Sequence, residues 1–173
     1  DRPDRFDKAA ASGADRVILD LEDAVRPEAK HVARDAVAGW GRRVAAVVRI
    51  NGAESPWFAD DLALLRDAGI VEVMIPKADP EVLRIVRERL GNIEIIALIE
   101  TVSGLLQLRQ VCSGARIGRL AFGNLDFSLD AGIDETDREL DPVRLQLVLE
   151  SRFAKLPAPI DGVLPSLNDP IAL

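Results

Sequence analysis

Apolar residues along the chain form short, nearly continuous runs, and a segment with helical periodicity follows almost every run. The runs predict strands at residues 16–21, 44–51, 71–77, 93–100, 120–124 and, more weakly, 159–164. The helical patterns cover residues 4–11, 27–40, 57–68, 80–90, 105–112 and 141–155. Runs that do not alternate between apolar and polar residues are typical of strands buried on both faces of a parallel sheet. The repeated strand–helix unit therefore predicts an α/β fold.

Polar side chains at the strand ends favour a barrel over an open sheet. Five of the six runs end in, or lead directly into, a chemically useful group: Glu22 and Asp23, Arg49 and Asn51, Lys77, Glu100, and Asp126. In a β/α barrel the carboxyl ends of all strands converge on one site, whereas in an open sheet only the strands at the switch point do so. We therefore predict one domain over residues 1–173, a parallel (β/α)8 TIM-type barrel. Because a complete barrel needs eight strands, we expect the first and last strands to be missing and the barrel to be incomplete at both ends.

Composition and charge narrow the class of protein further. The 173 residues are 48% hydrophobic, which is enough for one core, and the net charge of −7 argues against a nucleic-acid partner. No apolar stretch approaches the roughly 20 residues that a membrane span needs. The single cysteine, Cys112, cannot form an internal disulfide, and the whole composition fits a cytoplasmic location.

Two acids at neighbouring strand ends suggest a metal site. Glu100 ends the fourth run and Asp126 closely follows the fifth. Adjacent parallel strands lie about 4.8 Å apart, so both carboxylates can reach one ion. Oxygen ligands in small number favour Mg²⁺, and the helical positions of His31 and Cys112 argue against a zinc site. The alternative interpretation is that Glu100 caps the next helix and that Asp126 forms an Asx turn.

Arg49 is a charged residue inside an otherwise apolar strand. Such a residue is costly to bury unless it is paired. Its guanidinium could bind a substrate carboxylate or an enolate oxygen, or it could form an ion pair with Glu22, Asp23 or Glu100. The two interpretations are compatible with each other.

The remaining candidates have less specific roles. Lys77 could form a Schiff base, bind an anion or neutralise acids, and the Schiff base is disfavoured because a metal would already supply electrophilic catalysis. Glu22 and Asp23 are candidate catalytic acids that could hold metal-bound waters or anchor Arg49 or Lys77; the alternative is a solvated pair at the start of a loop. The segment Gly123-Asn124-Leu125 offers backbone N–H groups that suit a substrate carboxylate. The acids at 130–139 are interpreted as a solvated loop.

The ordered set of motifs resembles the citrate lyase beta-subunit family of the HpcH/HpaI aldolase superfamily, which also contains malyl-CoA and citramalyl-CoA lyases. The matching segments are RPDRFDKA (2–9), LDLEDAV (19–25), VRIN (48–51) with PW (56–57), IPK (75–77), ALIET (97–101) with GL (104–105), GNLD (123–126) and, weakly, PAPIDGV (157–163). The resemblance covers the whole chain. It departs after Lys77, where Ala78-Asp79 replaces the Glu-Ser pair that is more frequent in the family.

The resemblance implies a Mg²⁺-dependent carbon–carbon lyase that acts on CoA thioesters. Glu100 and Asp126 would bind the metal, Arg49 would bind substrate, and the reaction would cleave a citryl-, malyl- or citramalyl-CoA to acetyl-CoA and a 2-oxo acid such as oxaloacetate. It also implies a homo-oligomer, a trimer or hexamer, and a C-terminal lid that lies beyond the matched segments. The alternatives are a malyl-CoA thioesterase on the same scaffold, a metal aldolase acting without CoA, and a non-catalytic assembly barrel.

Overall fold

The strands form one parallel sheet in which every strand pairs with its neighbours in the chain. A computed structural model describes residues 2–41, 46–134 and 138–163. The strands are β1 (Ile18–Asp20), β2 (Val47–Arg49), β3 (Glu72–Ile75), β4 (Glu94–Ile99) and β5 (Arg119–Phe122), in the order β1-β2-β3-β4-β5. All four pairings are parallel. A doubly wound sheet reverses its strand order at a switch point, whereas this order is that of an arc of a barrel wall.

Helices connect the strands and cover one face of the sheet. They are α1 (Phe6–Ala10), α2 (Lys30–Gly41), α3 (Phe58–Ala68), α4 (Pro80–Leu90), α5 (Val102–Leu106), α6 (Leu108–Gly114), α7 (Asn124–Ala131) and α8 (Asp141–Phe153). Short 3₁₀ turns precede α1, α2 and α8, at Pro3–Arg5, Pro27–Ala29 and Arg138–Leu140. Within the described ranges, no helix combines the length and the apolarity needed to cross a membrane.

Capping residues mark the start of α4 and the end of α3. Asp79 caps α4 by accepting a hydrogen bond from the Val82 N–H at 2.8 Å, and Pro80 takes the first turn. Gly69 ends α3 with a left-handed φ of 66°, a conformation that glycine adopts without steric cost.

The sheet separates two apolar clusters. The larger one lies between the sheet and the helices and includes Val48, Leu65, Ile75, Leu83 and Ile99. The smaller one lines the opposite face, the inside of the arc, and consists of Val47, Met74, Ile96, Leu98 and Ala121, with Ile160 packed against it. Both faces of the strands are therefore apolar, as their continuous runs predicted.

The sixth predicted strand is reduced to a single bridge. Ile160 pairs with Ala121, and its backbone exchanges hydrogen bonds with Phe122 (2.9 Å) and Leu120 (3.0 Å). The prediction of a strand over 159–164 is thus wrong in extent, and Leu164 lies outside the described residues. Pro159 has no N–H to donate to a ladder, which helps to explain the short pairing. The start of the predicted second strand, residues 44 and 45, also lies outside them.

Two helical predictions need correction. The helix predicted over 105–112 is two helices, α5 and α6, which meet at Gln107, where the backbone leaves helical geometry (φ −100°, ψ 10°). Helix α7 was not predicted, and it contains Asp130, which had been assigned to a solvated loop. The Asp130 carboxylate accepts a hydrogen bond from the Val102 N–H at 2.7 Å, tying α7 to the start of α5. Residues 135–137 of that predicted loop lie outside the described residues.

Candidate functional site

A cleft of about 460 Å³ opens where the strands end. Its floor is the apolar inner face of the sheet, including Met74, Leu98 and Ala121. Its polar lining is Asp20, Asp23, Arg49, Glu100, Asn124, Asp126 and Asp161. Strand ends that are distant in sequence thus meet in one place, as the barrel prediction required.

Glu100 is the most deeply buried acid of the cleft. It directly follows β4 and is 1% exposed. Its Oε1 accepts a hydrogen bond from the Lys77 N–H at 2.8 Å. Burial, together with the charges of Glu22 and Asp126, raises the pKa of Glu100 to about 7. The alternative interpretation as a helix cap is wrong, because Thr101 caps α5 by accepting from the Gly104 N–H at 3.0 Å.

Asp126 lies in the first turn of α7, half-buried and facing the same cleft. Its position is helical, so the interpretation as a loop Asx turn is wrong. Asp126 and Glu100 line the same cleft, and the charge of Asp126 contributes to the raised pKa of Glu100. Gly123 separates β5 from α7 and packs against the side chain of Glu100: a Cβ at this position would lie 2.6 Å from Glu100 Oε2.

Arg49 forms ion pairs with three carboxylates. It makes a bidentate contact with Asp20, with Nε–Oδ1 2.8 Å and Nη2–Oδ2 2.6 Å. Its Nη1 also lies 3.2 Å from both Glu22 Oε2 and Asp23 Oδ2. The predicted pairing with Glu22 or Asp23 is confirmed. The partner Asp20 was missed, although it lies directly opposite Arg49 in the β1–β2 register and a strand alignment would have found it.

The two nearest acids respond to this environment in opposite ways. Burial tends to raise the pKa of Asp20, but the hydrogen bonds and charge of Arg49 outweigh it and lower that pKa. Burial raises the pKa of Glu22 to about 7. The Glu22 Oε2 lies within ion-pair distance of Arg49 without an aligned hydrogen bond, which leaves burial as the dominant influence. Glu22 can therefore exchange a proton near neutral pH.

Lys77 bridges the two acids of raised pKa. Its Nζ lies 3.7 Å from Glu22 Oε1 and 3.8 Å from Glu100 Oε1. Burial tends to lower the pKa of Lys77, but Glu100 and Glu22 outweigh it and raise that pKa. A protonated ammonium cannot attack a carbonyl, so this environment supports neutralisation of acids over a Schiff base. The backbone of Lys77 has a φ of 46°, a left-handed conformation unusual outside glycine.

The segment Gly123-Asn124-Leu125 is only partly available to a ligand. The Gly123 N–H donates to the Ile99 carbonyl at 2.9 Å and is engaged within the fold, while Gly123 itself lines the cleft, so its binding of substrate stays a prediction. The Asn124 side chain pairs with the backbone of Val163, donating to its carbonyl at 3.1 Å and accepting from its N–H at 2.9 Å. The backbone amides of Asn124 and Leu125 open α7, where helical N–H groups have no acceptor within the helix.

The donor set fits a hydrated Mg²⁺ ion. Among the described residues, no cluster of three or more histidine, cysteine or acidic side chains is arranged to chelate a metal. Glu100 and Asp126 offer two carboxylates, and Mg²⁺ is commonly bound by one or two carboxylates, with water and substrate oxygens completing the octahedron. Burial is the main cause of the raised pKa of Glu100, and the charges of Glu22 and Asp126 add to it. A bound divalent cation would favour the charged form of this carboxyl group.

The sheet order and the acidic cleft together define an α/β protein with a partial β/α barrel and a candidate site at the carboxyl ends of its strands. The family can be stated as well: the model of the HpcH/HpaI aldolase/citrate lyase family matches residues 1–171, and the chain belongs to this family.

Known members show how far the similarity extends. The chain is 32% identical to a citrate lyase subunit beta-like protein of Deinococcus radiodurans, over 98% of this chain and 64% of that protein. It is 35% identical to an L-malyl-CoA/beta-methylmalyl-CoA lyase of Cereibacter sphaeroides, over 78% of this chain and 49% of the relative. The chain thus spans about half to two thirds of the length of these relatives.

A solved structure of the family superposes closely on the fold. Protein CitE from Mycobacterium tuberculosis, in complex with magnesium, acetoacetate and coenzyme A, matches with a TM-score of 0.82 and 31% identity. The match covers 97% of this chain and 64% of CitE.

Proposed function

We propose that this protein is a Mg²⁺-dependent carbon–carbon lyase that cleaves a 3-hydroxyacyl-CoA carrying a carboxylate to acetyl-CoA and a 2-oxo acid. The observation that carries the proposal is that Glu100, Asp126 and Arg49 line one cleft, with Glu22 paired to Arg49. Membership of the citrate lyase family and the CoA and magnesium bound by CitE support it.

The metal would be held by Glu100 and Asp126. When bound, Mg²⁺ would supply Lewis-acid polarisation of the substrate's hydroxyl and carboxylate oxygens. Lys77, whose N–H and ammonium both face Glu100, would keep that carboxylate in place. The amides of Asn124 and Leu125 would bind the substrate carboxylate.

Arg49 would act where negative charge develops. A base takes up the hydroxyl proton, the electron pair of the O–H bond forms the C=O bond of the 2-oxo acid, and the bond between the carbinol carbon and the acyl α-carbon breaks. The electron pair of that bond passes to the thioester as an enolate, which takes up a proton to give acetyl-CoA. A guanidinium held by Asp20 is preorganised to stabilise the enolate oxygen. Glu22 and Asp23 lie 3.2 Å from Arg49 Nη1, and Glu22 can take up or release a proton near pH 7.

The test is the release of acetyl-CoA from citryl-, malyl- and citramalyl-CoA in the presence of Mg²⁺. We expect release from at least one thioester by the wild type, and loss of more than about a hundredfold in rate for Glu100→Ala. The exposed Glu88→Ala serves as the control and should retain the wild-type rate. An unchanged rate for Glu100→Ala would exclude the metal hypothesis.

The products also separate the alternatives. Free CoA together with intact malate would identify a thioesterase, and turnover of a free hydroxy-oxo acid would identify an aldolase that does not need CoA. No turnover and no Mg²⁺ binding would favour an assembly role. A homo-oligomer and a cytoplasmic location remain predictions that belong to the same proposal.

A further inference from the structure

A buried lysine lies behind the turn that follows β1 (residues 20–24) and carries Asp20, Glu22 and Asp23. Lys30 opens α2 and is 5% exposed, with its ammonium 5.0 Å from the centre of the Trp57 ring. Its Nζ donates to the Leu21 carbonyl (2.6 Å), the Glu22 carbonyl (2.7 Å) and Asn51 Oδ1 (2.6 Å). An ammonium has three N–H donors, so each finds an acceptor. All three acceptors are neutral oxygens, and burial lowers the pKa of Lys30 while the charge of Asp61 opposes that effect.

The contacts of Lys30 replace a hydrogen bond of the sheet. The Leu21 N–H donates to the Arg49 carbonyl at 2.8 Å, and the next bond of a parallel ladder would run from the Asn51 N–H to the Leu21 carbonyl. The Asn51 N–H donates instead to Asp61 Oδ2 at 2.9 Å, and the Leu21 carbonyl accepts its hydrogen bond from Lys30 Nζ. The ladder between β1 and β2 thus stops at the site, and side chains satisfy the backbone groups that it leaves.

These side chains form one buried network that reaches both helices behind the sheet. Asn51 Nδ2 donates to Asp61 Oδ2 at 2.6 Å, so Asn51 connects Lys30 with a fully buried carboxylate of α3. Asp61 Oδ1 in turn accepts from Arg34 of α2 at 3.1 Å. Lys30 and Arg34 lie one turn apart on α2, so this helix holds the network at two points.

The buried network constrains the turn that carries Asp20, Glu22 and Asp23. Within the turn, Asp20 accepts from the N–H groups of Glu22 (2.9 Å) and Ala24 (3.0 Å) while it binds Arg49. Lys30 fixes the carbonyls of Leu21 and Glu22 from below. The backbone on both sides of the Glu22 side chain is therefore constrained, by Asp20 at its N–H and by Lys30 at its carbonyl.

We propose that Lys30 is a positioning residue of this site: its ammonium takes the place of the next ladder hydrogen bond after β1 and fixes the turn, so that Asp23 and Arg49 line the cleft and Glu22 stays paired with Arg49. The inference rests on the proposed function for its effect on catalysis. Its effect on the turn itself can be measured without any substrate.

The first test compares Lys30→Met with a control of similar stability cost. Methionine keeps the length of the side chain but leaves three buried oxygens without donors. We expect kcat for acetyl-CoA release to fall about tenfold to a hundredfold with little change in KM, because the misplaced groups act at the reacting centre. Leu83→Ala, a fully buried position of α4, should lower the melting temperature while kcat stays within about twofold of wild type. Equal kcat in the two variants would overturn the proposal.

A second variant guards against failure of Lys30→Met to fold. Lys30→Gln keeps an N–H₂ group that can serve some of the three acceptors. If both variants fold, the kcat of Lys30→Gln should lie between those of wild type and Lys30→Met. If only Lys30→Gln folds, its kcat should be about tenfold below that of wild type. A wild-type kcat in a folded Lys30→Gln protein would contradict the role.

Amide hydrogen exchange provides a readout that does not depend on activity. In the variant that folds, the Glu22 and Ala24 amides should exchange at least about tenfold faster than in wild type, while the Gly123 amide keeps its rate. Unchanged exchange in the turn, or equal acceleration at Gly123, would overturn the proposal. The wild type could cleave none of the thioesters while the Lys30 variant shows faster amide exchange in the turn and not at Gly123. In that case the proposed function fails, and the positioning of the turn by Lys30 stands.

Discussion

At the scale of single residues, the site depends on two buried carboxyl groups whose pKa values lie near 7. Glu22 and Glu100 both face Lys77, and burial dominates the shift of each. Such groups make the folded protein sensitive to pH and to cations, because removing their protons leaves charge in a place of low polarity.

The first prediction concerns pH and stability without metal. Glu100 has a higher pKa folded than unfolded, so the folded state binds the proton more tightly between about pH 4.5 and 7. The free energy of unfolding should therefore fall as pH rises through this window. Glu100→Gln should remove roughly 2 kcal/mol of that fall.

The measurement is urea unfolding in EDTA at about pH 5.5 and about pH 8. Glu88→Gln is the control, since its exposed side chain should leave the fall unchanged. The same fall in Glu100→Gln and wild type would contradict the buried position of the carboxyl group.

A second residue-scale prediction concerns Arg49→Lys. Lysine keeps the charge but cannot bind Asp20 in a bidentate way while reaching Glu22 and Asp23. We expect kcat for acetyl-CoA release to fall about a hundredfold. Arg84→Lys, on the exposed face of α4, should leave kcat unchanged. A loss in Arg49→Lys of less than about threefold would argue against a role in stabilising the enolate.

At the scale of elements, much of the arrangement could be predicted from sequence. The apolar runs located all five strands, and their polar ends located the cleft, because alternating strands and helices bring the carboxyl ends together. The pairing of Asp20 with Arg49 could not be read without the strand register, since it depends on which residues lie opposite each other. Helix α7 begins one residue after β5 ends, so the sequence shows no separate helical segment there and does not indicate that Asp126 lies in the first turn of a helix.

The buried network of Lys30 shows a further limit. The sequence pattern placed Lys30 on a helix but gave no sign that its ammonium would replace a ladder bond. That outcome depends on where the hydrogen-bond ladder between β1 and β2 ends, a three-dimensional feature without a periodic signal in the chain.

Gly123 gives a prediction at the element scale, because it joins β5 to α7 against Glu100. A Cβ there would approach Glu100 Oε2 to 2.6 Å and its Cβ to 2.7 Å, so Gly123→Ala must displace the carboxylate or the helix. We expect a loss of about 1–3 kcal/mol in the free energy of unfolding, with weaker Mg²⁺ binding. Gly39→Ala is the matched control: its Cβ meets nothing within 4 Å in α2, so helix propensity should make it neutral or stabilising.

Chemical denaturation and Mg²⁺ titration of both glycine variants check this prediction. Wild-type stability together with wild-type Mg²⁺ affinity in Gly123→Ala would mean that the close approach to Glu100 has no role.

At the scale of the whole molecule, the fold presents an acidic cleft on an arc of parallel strands. The family resemblance predicts a trimer or hexamer in solution, and exposed apolar side chains on α8, such as Leu149 and Phe153, are compatible with association. Light scattering over a range of protein concentrations should give a mass three or six times that of the chain. A monomer at every concentration would contradict this prediction.

The central claim is that Glu100 and Asp126 bind one Mg²⁺ ion in this cleft, and calorimetric titration of Mg²⁺ into the protein tests it most directly. The account predicts one site per chain in wild type and in Glu88→Gln, with the affinity lowered at least about tenfold in both Glu100→Gln and Asp126→Asn. Wild-type affinity in either of these two variants, or no binding by the wild type, would contradict it.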